Sequence, residues 1–301
     1  MQSEEEQITN GLIAKVVKEF PDLLFNHAVL VNNGEDHAVL VLDGKRVVRF
    51  PRTDEYKQSF RQELDILSAL VAKRIRVPNY DHVSKERDFG SYALLQGTEL
   101  RENVFKALPA PIQNVLVRDI GHFLSELHAL PLAFVHLRED DGRWDSEGIW
   151  RYSDRYANEK RGVIKSFVEP KLLSELDDFF ERLRNMQSTI RRVIHADVTD
   201  DHLLVNSEGK FAGVIDFGDA TIGDPAFDFS YFWKYGDRVP AAVYANYTFK
   251  DDEKLLDRSR WHFVRYLSDR LFGAVEAHDF DLSEQITGTM QTALSRLPPL
   301  C

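Results

Sequence analysis

The chain has 301 residues, 43% of them hydrophobic, enough to bury a sizeable core in two modest domains or one two-lobed unit. Its 38 Lys and Arg against 49 Asp and Glu give a net charge of -11, which argues against a nucleic-acid partner, since phosphate backbones need clustered cations. No window reaches the roughly 18 apolar residues of a membrane span, the opening MQSEEEQITN is acidic where a signal peptide is basic, and the single cysteine, Cys301, leaves no disulfide framework. The expectation is a soluble cytoplasmic protein with no membrane partner.

Ile8, Leu12, Ile13, Val16 and Val17 recur at helical spacing, so an amphipathic helix opens the chain. HAVLV (27–31) and HAVLVL (37–42) flank the polar turn NNGED, and Asp43-Gly44 signals a hairpin into KRVVRF (45–50), which together predict an antiparallel sheet. The spacing over 54–73 predicts a helix with Phe60, Leu64, Leu67, Leu70 and Val71 on one face. Glu63 falls inside that apolar face, where an unpaired carboxylate is costly, so it needs a cation. Arg49, flanked by Val48 and Phe50, points to the opposite side of its strand from both. YALLQ (92–96) reads as a further strand, and Gly97 marks a boundary. Beyond it helical patterns dominate, at 111–130, 171–186 and 254–277, with short strands around two acidic loops. The expected architecture is α+β and two-lobed: residues 1–96 a small antiparallel-sheet lobe, residues 97–301 a larger, mostly helical one.

The first acidic loop lies in VIHADVTDDHLLV (193–205) and the second in GVIDFGDATIGDPAFDF (213–229). Taken alone, HADVTDDH admits three readings: a turn cluster, the metal site of a hydrolase, or the catalytic loop of a phosphotransferase. The intervening LLVNSEGKFAGVI predicts a hairpin that returns Asp216 beside His202, an oxygen and a nitrogen donor for one metal, with Asp197 next to them in the loop.

Three motifs in order, His195-x-Asp197-x-x-x-x-His202, Ile215-Asp216-Phe217-Gly218-Asp219 and Gly223-Asp224-Pro225-x-x-Asp228, resemble the aminoglycoside phosphotransferases, antibiotic kinases related to protein kinases. The nearest branch acts on the 2″ hydroxyl, and macrolide phosphotransferases are neighbours. The resemblance implies a protein-kinase-like fold, with Asp197 as catalytic base and with His202, standing where the family usually has Asn, and Asp216 as ligands of Mg2+. ATP or GTP would be the phosphoryl donor. His195 would be structural, and Asp228 would brace the catalytic loop through its backbone or serve as a first-turn helix carboxylate. Arg49 occupies the place of the kinase phosphate-contacting Lys and would bind nucleotide together with Glu63. Gly34, the one glycine of NNGED, would belong to the phosphate-covering loop, and Ala93, Leu94 and Leu95 would offer backbone groups to the purine.

For the acceptor, the resemblance implies that Asp200 and Asp201 hold ammonium groups, which points to a small, hydroxylated, cationic substrate, an aminoglycoside first. Tyr231, Phe232, Trp233 and Tyr235 could instead line a pocket for a macrolide or other apolar alcohol, or be core. Two readings from other classes stay open: a metal-dependent hydrolase using His195, Asp197, His202 and Asp216, and a nucleotide-binding module without catalysis.

Overall fold

The computed structural model describes residues 4–31, 36–135, 146–186, 188 and 190–299. They form two compact units, one of residues 1–100 with 201–219, the other of 101–200 with 220–301.

The first unit is built on helix α1 (Glu4–Glu19) and an antiparallel sheet of β1 (Ala28–Val31), β2 (His37–Leu42), β3 (Arg46–Pro51), β4 (Tyr80–Val83) and β5 (Gly90–Ala93), in the order β1-β2-β3-β5-β4. The β2–β3 turn places Asp43 and Gly44 both at positive φ, in a three-residue connection (43–45) between the paired Leu42 and Arg46. Strand alternation sends Leu40, Leu42, Val48 and Phe50 into a core with Val16 and Phe20 of α1 and with Phe89. It sends Arg49 to the other face, where helix α2 (Asp54–Ala72) lies. Thr53 caps α2 by accepting from the Tyr56 amide at 3.3 Å, with Asp54 and Glu55 in its first turn, and Phe60, Glu63, Leu64, Leu67 and Leu70 are buried along it. The strand expected at 92–96 is shorter and earlier, ending at Ala93, while β4 carries too little apolar alternation to be read in advance.

A hairpin of strands Leu203–Val205 and Phe211–Val214 also belongs to this unit, with the short strand Thr98–Glu99 on its edge. It approaches the chain after α2 by backbone: Val214 N donates to Arg76 O at 3.0 Å. A Cβ on Gly213, at φ 154°, would stand 2.9 Å from that same oxygen. Only glycine tolerates both.

In the second unit, helices Ala110–His128, Pro170–Leu183, Leu255–Glu276 and Phe280–Leu294 dominate, with a two-stranded ribbon of Arg192–Ile194 and Thr221–Gly223. Trp261, stacked on Phe179 at 5.2 Å, centres a core that includes Phe180, Leu183, Leu271 and Met290. No helix among the described residues is long and apolar enough to cross a membrane.

Candidate active site

In the first unit one guanidinium organises the polar residues. Arg49 Nη1 donates to Glu63 Oε1 at 2.8 Å, and Nη2 lies 3.1 Å from Asp216 Oδ1 and 3.2 Å from His37 Nδ1. Arg49 and Glu63 are 7% and 0% exposed, so the strand and helix periodicities that separated them in sequence bring them together in the interior. Burial pushes the Glu63 carboxyl up to about 7 against the opposing pull of Arg49. Burial, with the Arg49 charge beside it, pushes the His37 imidazole down to about 3. His37 was not singled out from the sequence. The available signal was its place two residues before Val39, which pairs with Arg49 across β2 and β3.

The hairpin sets the second pair. Leu203 pairs with Val214 and Ile215 N donates to His202 O at 3.0 Å, so the residues just outside the strands, His202 and Asp216, end side by side. His202 Nε2 and Asp216 Oδ2 are 3.7 Å apart, and Asp216 takes a left-handed φ of 64°, uncommon for a residue with a Cβ though Asp tolerates it better than most. Ala93 closes β5 opposite Arg46, Leu94 N donates to Lys45 O at 2.8 Å, and Leu95 is half-buried. Gly34 lies outside the described residues.

In the second unit, Asp228 shapes the loop that carries Asp197. Its carboxylate accepts from the amides of His195 at 2.8 Å and Ala196 at 2.9 Å, and His128 Nε2 lies 3.0 Å away, itself tied to the Tyr247 hydroxyl at 2.7 Å. Ala196 is held at φ 67°, strained for a residue with a Cβ. The ring of His195, fully buried, accepts from the Asp197 amide at 3.3 Å. Among the described residues no three His, Cys, Asp or Glu side chains are grouped as a metal site. Asp224, quoted in the third motif without a role, is gripped by Arg258 at 2.7 and 2.9 Å. Although burial pushes its carboxyl up, Arg258 holds it well below the ordinary range.

The acceptor residues part company. Asp200 is 4% exposed and accepts from Lys234 Nζ and the Tyr231 hydroxyl, both at 2.7 Å. Its charge is matched internally, where the sequence reading leaves it open to a substrate ammonium. Burial opposes ionisation, but Lys234 and Tyr231 keep the carboxyl below its usual range. Asp201 is exposed and belongs to the first unit. Tyr231, Phe232 and Tyr235 are core residues rather than pocket walls. Trp233 donates to Ser259 Oγ at 3.0 Å, and its ring is covered by the Arg260 guanidinium at 3.9 Å.

Kinase-like enzymes manage phosphoryl transfer with a catalytic-loop aspartate, a metal-holding aspartate and a Lys–Glu pair, and the fold is of that class. A profile of the phosphotransferase enzyme family (APH) matches residues 27–294, and the chain belongs to that family. It is therefore an enzyme that transfers phosphoryl groups to hydroxyls. Solved structures similar in fold include the aminoglycoside phosphotransferase APH(2″)-IIIa with GDP and kanamycin, at 22% identity over 95% of this chain and 98% of that one, TM-score 0.75. The gentamicin complex of APH(2″)-IIa is 16% identical over 96% of each chain, TM-score 0.65. The macrolide 2′-phosphotransferase MphH from Brachybacterium faecium, an apoenzyme, is 17% identical over 96% of this chain and 99% of that one, TM-score 0.61.

Proposed function

We propose that the chain moves the γ-phosphoryl group of ATP or GTP to a hydroxyl of a small molecule, acting in the cytoplasm where both nucleotides are abundant. Residues 1–96 form the nucleotide-binding lobe in this reading and residues 97–301 carry the catalytic loop and the acceptor. The observation that carries it is the Arg49 fork, which reaches Glu63 through one nitrogen and Asp216 through the other. That joins the nucleotide-facing strand to the acidic hairpin. Glu63 fixes the guanidinium in place through Nη1, and phosphate oxygens would compete for the Nη2 donors now turned to Asp216 and His37. The backbone of Ala93 and Leu95 meets the purine.

The half-exposed Asp216 carboxylate suits Mg2+, which takes only one or two protein carboxylates beside phosphate oxygens, whereas the His202 imidazole 3.7 Å away is a nitrogen donor to an ion that prefers oxygen. Asp216 and His202 would hold the ion, which when bound neutralises phosphate charge. Asp197 orients the acceptor hydroxyl and takes its proton, from a loop whose shape Asp228 and His195 set.

The aminoglycoside form of this reading draws on the kanamycin and gentamicin of the neighbouring structures, with Asp201 as the exposed carboxylate for an ammonium and Asp200 available on displacement of Lys234. A macrolide acceptor is the second form, supported by the likeness to MphH, and would call on Trp233. The test is release of ADP or GDP with kanamycin, gentamicin, a macrolide and a panel of hydroxylated acids as acceptors. Acceptor-dependent release is expected with at least one class. Nucleotide that neither binds nor turns over with any of them would refute the reading.

A further inference from the structure

His37 opens β2 on the face that carries Arg49, since His37 pairs with Pro51 and Val39 pairs with Arg49 across the β2–β3 ladder. It is buried beside the rings of Tyr56 and Phe60, 6.3 and 6.4 Å away. A guanidinium can only donate, so the 3.2 Å contact fixes the tautomer: Nδ1 accepts from Arg49 Nη2, and the ring proton sits on Nε2. Nε2 is buried and finds no hydrogen-bond partner among the described residues. An imidazole with an unsatisfied N–H is a costly way to fill this space, and a Phe or Leu would fill it without that cost. The polar contact set against the cost is the one to Arg49. Nη2 carries two hydrogens, and its other acceptor is Asp216 Oδ1 at 3.1 Å. With Glu63 on Nη1 at 2.8 Å, the guanidinium is held at both ends within the first unit. Burial and the adjoining Arg49 charge keep the imidazole neutral, its pKa down to about 3. A neutral acceptor holds the fork while leaving its positive charge for an incoming anion, which a second buried carboxylate would cancel.

We propose that His37 is a positioning residue for the nucleotide: it holds Arg49 Nη2 in the plane set by Glu63, so that the hydrogen now on Asp216 turns to a phosphate oxygen without the fork rotating. The proposal rests on the reading of Arg49 as a phosphate ligand. His37 touches no reacting atom and acts through Arg49 alone. The device is therefore specific to arginine. A lysine at 49 could still pair with Glu63, but its single nitrogen leaves the imidazole with no second donor to hold.

The experiment is calorimetric titration of the full chain with ADP and with GDP, each in excess Mg2+. His37→Phe and His37→Leu remove the acceptor, and either is expected to weaken the diphosphate that wild type binds by about tenfold, the effect of one hydrogen bond to a charged group. His37→Asn, whose Oδ1 stands as many bonds from the backbone as Nδ1 does, is expected to stay within about threefold of wild type. In an Arg49→Lys background the Phe and Leu changes should cost less than about twofold, a dependence that a role in folding alone does not produce. Denaturant unfolding of each variant establishes that the protein titrated is folded. The inference is overturned if the Phe or Leu variant binds as wild type does, if Asn is as weak as they are, or if their loss persists undiminished beside Lys at position 49. Arg49→Met combined with Glu63→Met, which removes both buried charges together, keeps the two levels apart. Weakened diphosphate there, with the His37 variants unaffected, sinks the positioning role alone. Binding equal to wild type in that double variant removes the reading of Arg49 as a phosphate ligand, and the positioning role with it.

Discussion

Arg49 and Glu63 show how two charges can be deduced to meet before they are seen. A carboxylate within the apolar stripe of α2 has no stable place without a cation, and strand alternation aims Arg49 away from the core formed by Val48 and Phe50. Removing either partner strands the other in the interior, at about 3–5 kcal/mol for a buried pair. A double-mutant cycle by denaturant unfolding is expected to show coupling of at least about 0.5 kcal/mol. Strict additivity would mean the 2.8 Å contact contributes nothing. His37 was illegible by comparison, because a lone histidine in a strand is consistent with many environments. Its titration makes it measurable. The native imidazole resists protonation down to about 3 while the unfolded one titrates near 6.5, so its contribution to stability is present above pH 6.5 and lost as pH falls through that window. Glu63 acts in the opposite sense, favouring the native state below its unfolded value of 4.5 and losing that contribution as pH rises through about 7. His37→Gln keeps an acceptor for Arg49 without the titration. The variant's stability relative to wild type is therefore expected to rise on going from pH 7 to pH 4, by no more than about 1.4 kcal/mol per pH unit. A constant difference across that range would contradict a buried neutral His37.

At the level of elements, the hairpin from 203 to 214 was readable because its two apolar runs and the Asn-Ser-Glu-Gly turn fix where the strands end, and with that the side-by-side placement of His202 and Asp216. The long helices at 110, 170 and 255 were readable for the same reason, a sustained 3.6-residue period. Helix Phe280–Leu294 was not, since Gly288 and three threonines dilute its pattern and its stability comes from packing Ile286, Met290 and Ala293 into the core, a tertiary effect. The loop at 195–200 depends on an element far along the chain. Asp228→Ala would leave the His195 and Ala196 amides buried without acceptors, each worth about 1–3 kcal/mol, and would release the strained φ of Ala196. Loss of melting temperature together with a fall in kcat larger than any change in nucleotide KM is expected. A variant that melts lower yet keeps full kcat would show that the brace serves folding alone.

On the scale of the whole molecule, length and charge excluded more than they identified, and the family became legible only through three motifs in the correct order. The partners of the acceptor residues were hidden. Lys234 lies 34 residues from the aspartate it neutralises, and no local pattern announces that pairing. Nor does position along the chain reveal that residues 201–219 cluster with the sheet-bearing unit, because that membership is set by backbone contacts such as Val214 to Arg76. What the molecule does with these parts comes down to the fate of one phosphoryl group. The direct measurement follows nucleotide labelled at the γ position, ATP and GTP in turn, in wild type and in Asp197→Asn, with the acceptor panel present. Label is predicted to move from the nucleotide to an acceptor hydroxyl in wild type. In the variant the transfer should slow by about two to four orders of magnitude while nucleotide affinity stays close to that of wild type. Label recovered only as inorganic phosphate, or equal transfer rates in the two proteins, would contradict a kinase-like phosphotransferase with Asp197 at its centre.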